Sequence, residues 1–99
     1  MPKIRKIVTK NANELAEALD LTPADAVEWV MRHSLTEKII DTAKRNRLTV
    51  SEIAKGAKTS RARVTRILKG DTHGISIDVL LRVLGAAGQT IKISYSKAA

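Results

Sequence analysis

Apolar residues recur at helical spacing through the middle of the chain. Their three- and four-residue steps place on one face Val27, Val30, Met31, Leu35, Ile39 and Ala43. Thr22 can cap the start of such a helix, Pro23 suits its first position, and Asp25 lies near the positive end of its dipole. We therefore predict a helix from Pro23 to about Arg45, either continuous or broken at residues 34–36, where hydroxyl side chains compete for backbone hydrogen bonds.

Two weaker patterns precede this helix. Residues 1–12 carry scattered apolar positions among cations, which predicts a flexible basic arm, with a short edge strand as the alternative. Asn13 can cap a short helix over residues 14–19. Trp29 is the only tryptophan, and we expect it to pack against that short helix rather than to stack on a ligand.

Residues 48–70 contain two short amphipathic patterns with a tight turn between them. In the first, Ile53 and Ala57 face the core and Ala54 is small enough for a helix crossing. In the second, apolar residues return every three or four positions, at Val64, Ile67 and Leu68. This pattern is typical of a helix-turn-helix, in which the second helix lies in the DNA major groove with its N-terminal residues near the base edges.

Polar and small residues occupy the opposite face of the second helix. Ser60 or Thr59 is the expected N-cap. Arg63 and Lys69 are expected to point sideways, toward the path of the DNA phosphates. The outward-facing set consists of Arg61, Ala62, Thr65 and Arg66.

The segment after this motif predicts a loop followed by one more helix. Residues 70–74 are rich in turn-forming residues and are flanked by two glycines. Ser76 can cap a helix that ends loosely at residues 85–88. The expected apolar stripe of this helix is Ile77, Leu80, Leu81 and Leu84.

The C-terminal residues change to a period of two. Ile91, Ile93 and Tyr95 alternate with polar residues, which predicts a half-buried strand. A single strand leaves its backbone donors unpaired, so it needs a partner strand. A second copy of the chain can supply one across a two-fold axis, which makes these three residues the predicted dimer contact. Residues 4–8 of the same chain are the competing partner.

Charge is concentrated around the motif. Nine of the 18 Lys and Arg residues lie between residues 44 and 69, against one acidic residue, Glu52. This segment therefore carries the entire formal net charge of +8, as expected of a surface that binds a polyanion. Duplex DNA is favoured over single-stranded RNA because the basic segment has no aromatic residue for base stacking. A membrane surface is disfavoured because the segment lacks a broad apolar face.

Composition argues against several other classes. The chain has 99 residues, 43% of them hydrophobic, which suits one domain with a modest core. There is no cysteine, and His33 and His73 lie far apart, so we expect no metal site, no cofactor and no enzymatic activity. No window is apolar enough to span a membrane, and the basic start is not followed by a signal-peptide core. We expect a cytoplasmic location.

The motif resembles the helix-turn-helix of the XRE family, the lambda-repressor and Cro-like regulators, over the stretch LTVSEIAKGAKTSRARVTRILKG. The chain is also similar to HigA-like antitoxins of type II toxin-antitoxin pairs, from LTPADAVEW to ILKGDTHGISIDVLLRVLGAAGQTIKISYS. The resemblance implies a mainly α, about five-helix lambda-repressor-like domain over residues 13–89, with its motif at residues 49–69. Residues 1–12 would form the basic arm, and residues 90–99 a C-terminal β-strand and tail that pair across a dimer.

The resemblance also implies a function. Such antitoxins are bacterial homodimers that act at the nucleoid, where they repress their own operon by binding a double-stranded DNA operator with two-fold symmetry. They also neutralise a RelE-like ribonuclease toxin. A stand-alone XRE repressor of host or prophage, with no toxin partner, is the alternative.

The family's DNA contacts can be carried over position by position. The base-contacting set becomes Ser60, Arg61, Ala62, Thr65 and Arg66. The phosphate-contacting set becomes Thr49, Lys58, Thr59, Arg63, Lys69 and Thr72. Arg61 and Arg66 are the candidates for bidentate contacts to guanine, and Ala62 for contact with a thymine methyl. Thr49 begins a helix, where backbone amides favour an anion.

One position departs from the family pattern. The turn usually has a glycine in the left-handed backbone conformation, and this chain has Lys58 there, with Gly56 two residues earlier. Either Lys58 adopts that conformation at a cost of about 1 kcal/mol or more, or the turn has a different shape. The second alternative would change the angle between the two helices.

Overall fold

Four helices and no strand are present in residues 22–97, the part of the chain that the computed structural model describes. In chain order they are α1, Pro23–Arg45; α2, Val50–Ala57; α3, Arg61–Leu68; and α4, Ile77–Ala86. The described residues belong to two units, one containing residues 22–31 and 93–97 and the other Arg32–Lys92. The second unit holds α2, α3, α4 and the C-terminal part of α1, so the prediction of a mainly helical domain is confirmed.

The long helix α1 begins at its predicted cap. The hydroxyl of Thr22 accepts a hydrogen bond from the Asp25 amide at 3.1 Å and donates one to the Asp25 carboxylate at 2.7 Å. The helix then continues without a break to Arg45. The Thr36 hydroxyl donates to the Arg32 carbonyl at 2.7 Å, a bond that a threonine can make within a helix. The predicted helix is confirmed, and the alternative break at residues 34–36 is wrong.

All four helices contribute to the core of the Arg32–Lys92 unit. Its largest fully buried side chains are Ile39, Ile53, Val64, Ile67, Leu80 and Val83. α2 packs against both α3 and α4. It approaches α4 closely at Gly56, where an added Cβ would lie 3.1 Å from the Cβ of Ala86. Ala54, the predicted crossing residue, is also buried, so α2 presents two small residues to its neighbours.

The last helix, α4, buries most of its predicted apolar stripe. Leu80 and Leu84 are buried and Ile77 is partly buried against the core. The prediction is wrong at Leu81, which is 39% exposed. Val79 and Val83 are buried in addition. Ser76 lies at the N-cap, yet its hydroxyl donates to the Asp78 carboxylate at 2.6 Å instead of capping an amide.

The four helices end in the same way. Each is followed by a residue in the left-handed conformation and then by an amide that donates to the carbonyl five residues earlier. The left-handed residues are Arg47, Lys58, Gly70 and Gly88. The donating amides belong to Leu48, Thr59, Asp71 and Gln89, at 3.0, 3.1, 2.9 and 3.2 Å. Two helix ends therefore carry a basic residue where glycine would avoid the steric cost.

The predicted C-terminal strand is not confirmed. Residues 90–97 lie outside any helix or strand, and Ile93 and Tyr95 are 71% and 94% exposed. A strand requires a hydrogen-bonded neighbour, and residues 22–97 of this single chain provide none.

Some predictions fall on residues that the structure does not describe. The arm over residues 1–12 and the short helix over residues 14–19 lie outside the described residues. The predicted contact of Trp29 with that helix lies outside them as well, and Trp29 itself is 37% exposed. None of the helices within residues 22–97 is both long and apolar enough to cross a membrane.

Candidate nucleic-acid interface

The first helix of the motif, α2, has a complete cap at its start. The hydroxyl of Thr49 accepts from the Glu52 amide at 3.1 Å, and the Glu52 carboxylate accepts from the Thr49 amide at 2.8 Å. The pKa of Glu52 is lowered, chiefly by the hydrogen bond from the Thr49 backbone amide and further by a hydrogen bond from the Thr49 side chain. A phosphate at the start of α2 would therefore compete with the Glu52 carboxylate for the Thr49 hydroxyl.

The turn between α2 and α3 is left-handed at Lys58. Its backbone angles are φ 55° and ψ 49°, and its amide donates to the carbonyls of Ala54 and Lys55. Lys58 therefore adopts the conformation usual for glycine and bears a steric cost of roughly 1–2 kcal/mol. Its side chain is exposed and has no partner among residues 22–97.

The second helix of the motif, α3, is capped by Ser60 rather than by Thr59. The Ser60 hydroxyl accepts from the Arg63 amide at 3.1 Å. The Arg63 guanidinium in turn donates to the Thr59 hydroxyl at 3.4 Å, which draws this side chain back toward the turn. The start of α3 is thus fixed by side chains from both sides of the cap.

The two faces of α3 have the predicted polarity. Val64 and Ile67 are completely buried, while Arg61, Ala62 and Arg66 are exposed and Thr65 is partly buried. Arg61 has no hydrogen-bond or ion-pair partner in the described part of the chain. Its guanidinium is therefore available to a ligand.

Arg66, five residues farther along the same helix, is bound by the loop that follows α3. Its Nε donates to Asp71 Oδ2 at 3.1 Å and its Nη2 to Asp71 Oδ1 at 3.3 Å. Nη2 also donates to the His73 carbonyl at 2.6 Å. The hydrogen bonds from Arg66 lower the pKa of Asp71, and the same pair raises the pKa of Arg66. Both side chains are about half exposed, so solvent screens their attraction.

A second arginine holds the other side of this loop. Arg32, on α1, donates through Nη1 to the Thr72 carbonyl at 3.1 Å and to the Ile75 carbonyl. Ile75 is buried, and its amide donates to the Thr72 carbonyl at 3.0 Å. Thr72, a predicted phosphate contact, therefore lies in a loop anchored by two arginines and the core.

Two of these loop contacts were not predicted from the sequence. Arg32 lies 40 residues before Thr72, and no local pattern connects them. Asp71 was predicted only as a turn residue, although its position directly after Gly70 was a usable signal. The left-handed Gly70 reverses the chain, which brings Asp71 back to the side chain of Arg66.

The charge of this region is strongly positive on its surface. Six exposed cations belong to α2, the turn and α3 with its end, namely Lys55, Lys58, Arg61, Arg63, Arg66 and Lys69. The nearby acids, Glu52 and Asp71, are both occupied, one by the cap of α2 and the other by Arg66. The remaining surface attracts a polyanion, and α3 offers it a rigid row of polar side chains.

Comparison with known proteins agrees with this geometry. Neither the curated proteins nor the solved structures contain a match to the chain. A protein family described as a helix-turn-helix domain matches residues 14–96, which include α1 to α4 and nearly all of the chain. The chain thus belongs to this family of helix-turn-helix DNA-binding domains.

Proposed function

We propose that this protein is a transcriptional repressor that binds a specific sequence in double-stranded DNA. The observation that supports this most directly is the N-terminal end of α3, where Arg61 and Ala62 are exposed above a completely buried Val64. Ser60 caps this end, and Arg61 has no partner in the described part of the chain. Helix-turn-helix proteins insert such a helix end, on a basic surface, into the major groove.

Base recognition would depend mainly on Arg61. A guanidinium can donate two hydrogen bonds to guanine O6 and N7, and such a contact contributes roughly 1–3 kcal/mol of discrimination between bases. Ala62 would contact a thymine methyl, and Ser60 and Thr65 would complete the base-contacting set. Arg66, the remaining member of the predicted set, would first have to leave the loop that follows α3.

The surrounding residues would bind the DNA backbone. The proposed phosphate contacts are Thr49, Lys58, Thr59, Arg63, Lys69 and Thr72. Binding through several phosphates releases counterions, so affinity for any duplex should fall steeply with salt. Arg63 would have to give up its weak hydrogen bond to Thr59, which at 3.4 Å costs little.

The repressor would act as a homodimer on a two-fold symmetric operator. Ile91, Ile93 and Tyr95 are 48%, 71% and 94% exposed in the single chain, and their alternation with polar residues suits a strand that pairs with a second copy. Pairing with residues 4–8 of the same chain is the alternative. A dimer would place two copies of α3 on half-sites about 34 Å apart, one turn of DNA.

We further propose that the repressor is an antitoxin that controls its own operon and neutralises a RelE-like toxin. The support is its similarity to HigA-like antitoxins and the presence of residues 22–31, which lie outside the unit that contains the helix-turn-helix. A stand-alone repressor is the second candidate. A neighbouring reading frame for a small basic protein that copurifies with this chain would favour the antitoxin, and its absence would favour the stand-alone repressor.

The DNA-binding proposal can be tested by selecting duplexes from a randomised library with the unaltered protein. Arg61→Ala should then lose most of the preference for the selected duplex over a shuffled duplex of the same composition. Arg82→Ala is the matched control, because it removes an equal charge from an exposed position on α4. The recognition role of α3 fails if Arg61→Ala keeps the full preference, and the repressor proposal fails if no duplex is enriched.

A further inference from the structure

We propose that Arg66 is a positioning residue that acts through Asp71: it holds the loop of residues 70–74 at the end of α3 so that Thr72 meets the DNA backbone. This inference deepens the proposed function and rests on it. It assigns different roles to the two exposed arginines Arg61 and Arg66 of α3.

The guanidinium of Arg66 has too few free hydrogens for a bidentate base contact. Its Nε hydrogen and one Nη2 hydrogen go to the two oxygens of Asp71, and the other Nη2 hydrogen goes to the His73 carbonyl. Only Nη1 remains. A bidentate contact to guanine needs parallel hydrogens on two neighbouring nitrogens, and both such pairs include Nη2. Arg66 therefore cannot bind guanine in this way without releasing the loop.

The loop depends on this anchor because its own backbone is permissive. Gly70 and Gly74 have φ of 84° and 76°, so glycines begin and end the segment. Arg32 and the buried Ile75 fix its far side. On its near side, the loop's hydrogen bonds to α3, apart from the backbone bonds that end the helix, are those made by Arg66.

The position of Asp71 beside a DNA-binding surface also needs an explanation. A carboxylate beside a polyanion is repelled unless a cation neutralises it, and Arg66 forms a two-point ion pair with Asp71. If Asp71 served no purpose in binding, its removal should tighten the complex by removing a negative charge. If Asp71 holds the loop, its removal should weaken the complex despite that gain.

A double-mutant cycle distinguishes these outcomes. Arg66→Ala, Asp71→Ala and the double variant would be measured by titration against the duplex selected by the unaltered protein and against its shuffled counterpart, over a range of salt concentrations. We expect each single variant to weaken binding to both duplexes by on the order of tenfold. The double variant should bind no worse than either single variant. The preference for the selected duplex should stay the same, and the salt slope should fall by about 1.

The fall in the salt slope is the readout that a loss of folded protein would not produce, because a smaller folded fraction does not change the number of phosphates that each bound molecule contacts. Asp78→Ala is the control for charge, since it removes a carboxylate from the start of α4 and should leave affinity equal or slightly higher. Arg66→Lys should recover part of the affinity, because lysine can pair with Asp71 but cannot make both hydrogen bonds.

Two results would overturn the inference. If Asp71→Ala tightens binding while Arg66→Ala removes the preference, Arg66 contacts a base and Asp71 competes for it. If the two substitutions are additive, Arg66 does not act through Asp71. Both results leave the proposed DNA binding intact, whereas failure to enrich any duplex would remove the proposed function and this inference together.

Discussion

The two ends of α3 carry the same kind of side chain in different states. At the N-terminal end, Arg61 extends from a capped helix start and has no partner among residues 22–97. At the C-terminal end, Arg66 donates three hydrogen bonds to the loop that follows. Both arginines are exposed side chains of one helix, and they differ because Arg66 alone is bound by the loop that follows α3. An exposed arginine on such a helix can therefore remain free for a ligand or can hydrogen-bond to the protein itself, depending on the residues next to it.

The two roles suit the geometry of a helix that enters a groove end-first. In such docking, the residues near the N-terminus approach the base edges. The C-terminal end lies nearer to the rim, where the chain must turn away and where a fixed loop can contact phosphates. An unpaired Arg61 and a paired Arg66 match these two environments.

The largest expected effect comes from a core substitution that destabilises both ends of α3 at once. Ile67 is fully buried beneath the C-terminal half of α3, and Ile67→Ala should lower the free energy of unfolding by roughly 2–5 kcal/mol. Urea denaturation would measure this change. Small domains are stable by only about 5–15 kcal/mol, so this variant should unfold at a clearly lower urea concentration than the unaltered protein. Both ends of α3 should unfold together in that transition.

The matched control for Ile67→Ala is Leu81→Ala on α4. Leu81 is 39% exposed, so this substitution should cost less than about 1 kcal/mol. Equal losses for the two variants would contradict the difference in burial between Ile67 and Leu81.

A smaller effect concerns the turn that leads into the Arg61 end. Lys58→Gly should raise the free energy of unfolding by up to about 1 kcal/mol, since it removes the left-handed strain of Lys58 at some cost in chain entropy. Lys55→Gly, the same substitution inside α2, should lower it by about 1 kcal/mol. Thermal unfolding of both variants would show opposite shifts. Shifts of the same sign would mean that the turn is not left-handed at this residue.

Much of this architecture follows from local sequence. The cap at Thr22, the periodicity of α1 and the buried positions Ile53, Val64 and Ile67 were predicted correctly, because each depends on residues within a turn or two of itself. The left-handed state of Lys58 was one of two predicted alternatives for the same reason.

The remaining features depend on distant partners. The burial of Val79 and Val83 and the exposure of Leu81 depend on how α4 packs against α2, which it approaches closely where Gly56 meets Ala86. The anchoring of the loop by Arg32 spans 40 residues of sequence. The strand predicted at residues 91–97 needs a neighbouring strand, which no property of its own sequence can provide.

The smallest expected effect is a dependence on pH that should appear at Arg66 and not at Arg61. The pKa of Asp71 is lowered in the folded protein, chiefly by its hydrogen bonds from Arg66. The stability that the ionised carboxylate contributes to the folded protein is therefore complete above the unfolded carboxyl pKa of about 4, and it is lost as the pH falls through the lower folded pKa. In nuclear magnetic resonance spectra, the Arg66 Nε–H signal should shift over that acidic range, while the Arg61 signal should not.

Asp71→Asn is the control for this titration, because it removes the ionisable group and keeps one oxygen acceptor. The Arg66 shift should disappear in this variant. Glu52 also has a lowered pKa and loses its contribution in the same acidic direction, so a shift that persists in Asp71→Asn would be assigned to the cap of α2 and would contradict the Arg66–Asp71 pairing in solution.

The most direct test of the division of α3 compares Arg61→Ala with Arg66→Ala in quantitative binding to the selected duplex and its shuffled counterpart. Arg61→Ala should reduce the preference between the two duplexes by about 5- to 150-fold, the equivalent of roughly 1–3 kcal/mol. Arg66→Ala should weaken binding to both duplexes alike and leave the preference unchanged. A preserved preference in Arg61→Ala, or a lost preference in Arg66→Ala, would contradict the assignment of base contact to one end of α3 and loop positioning to the other.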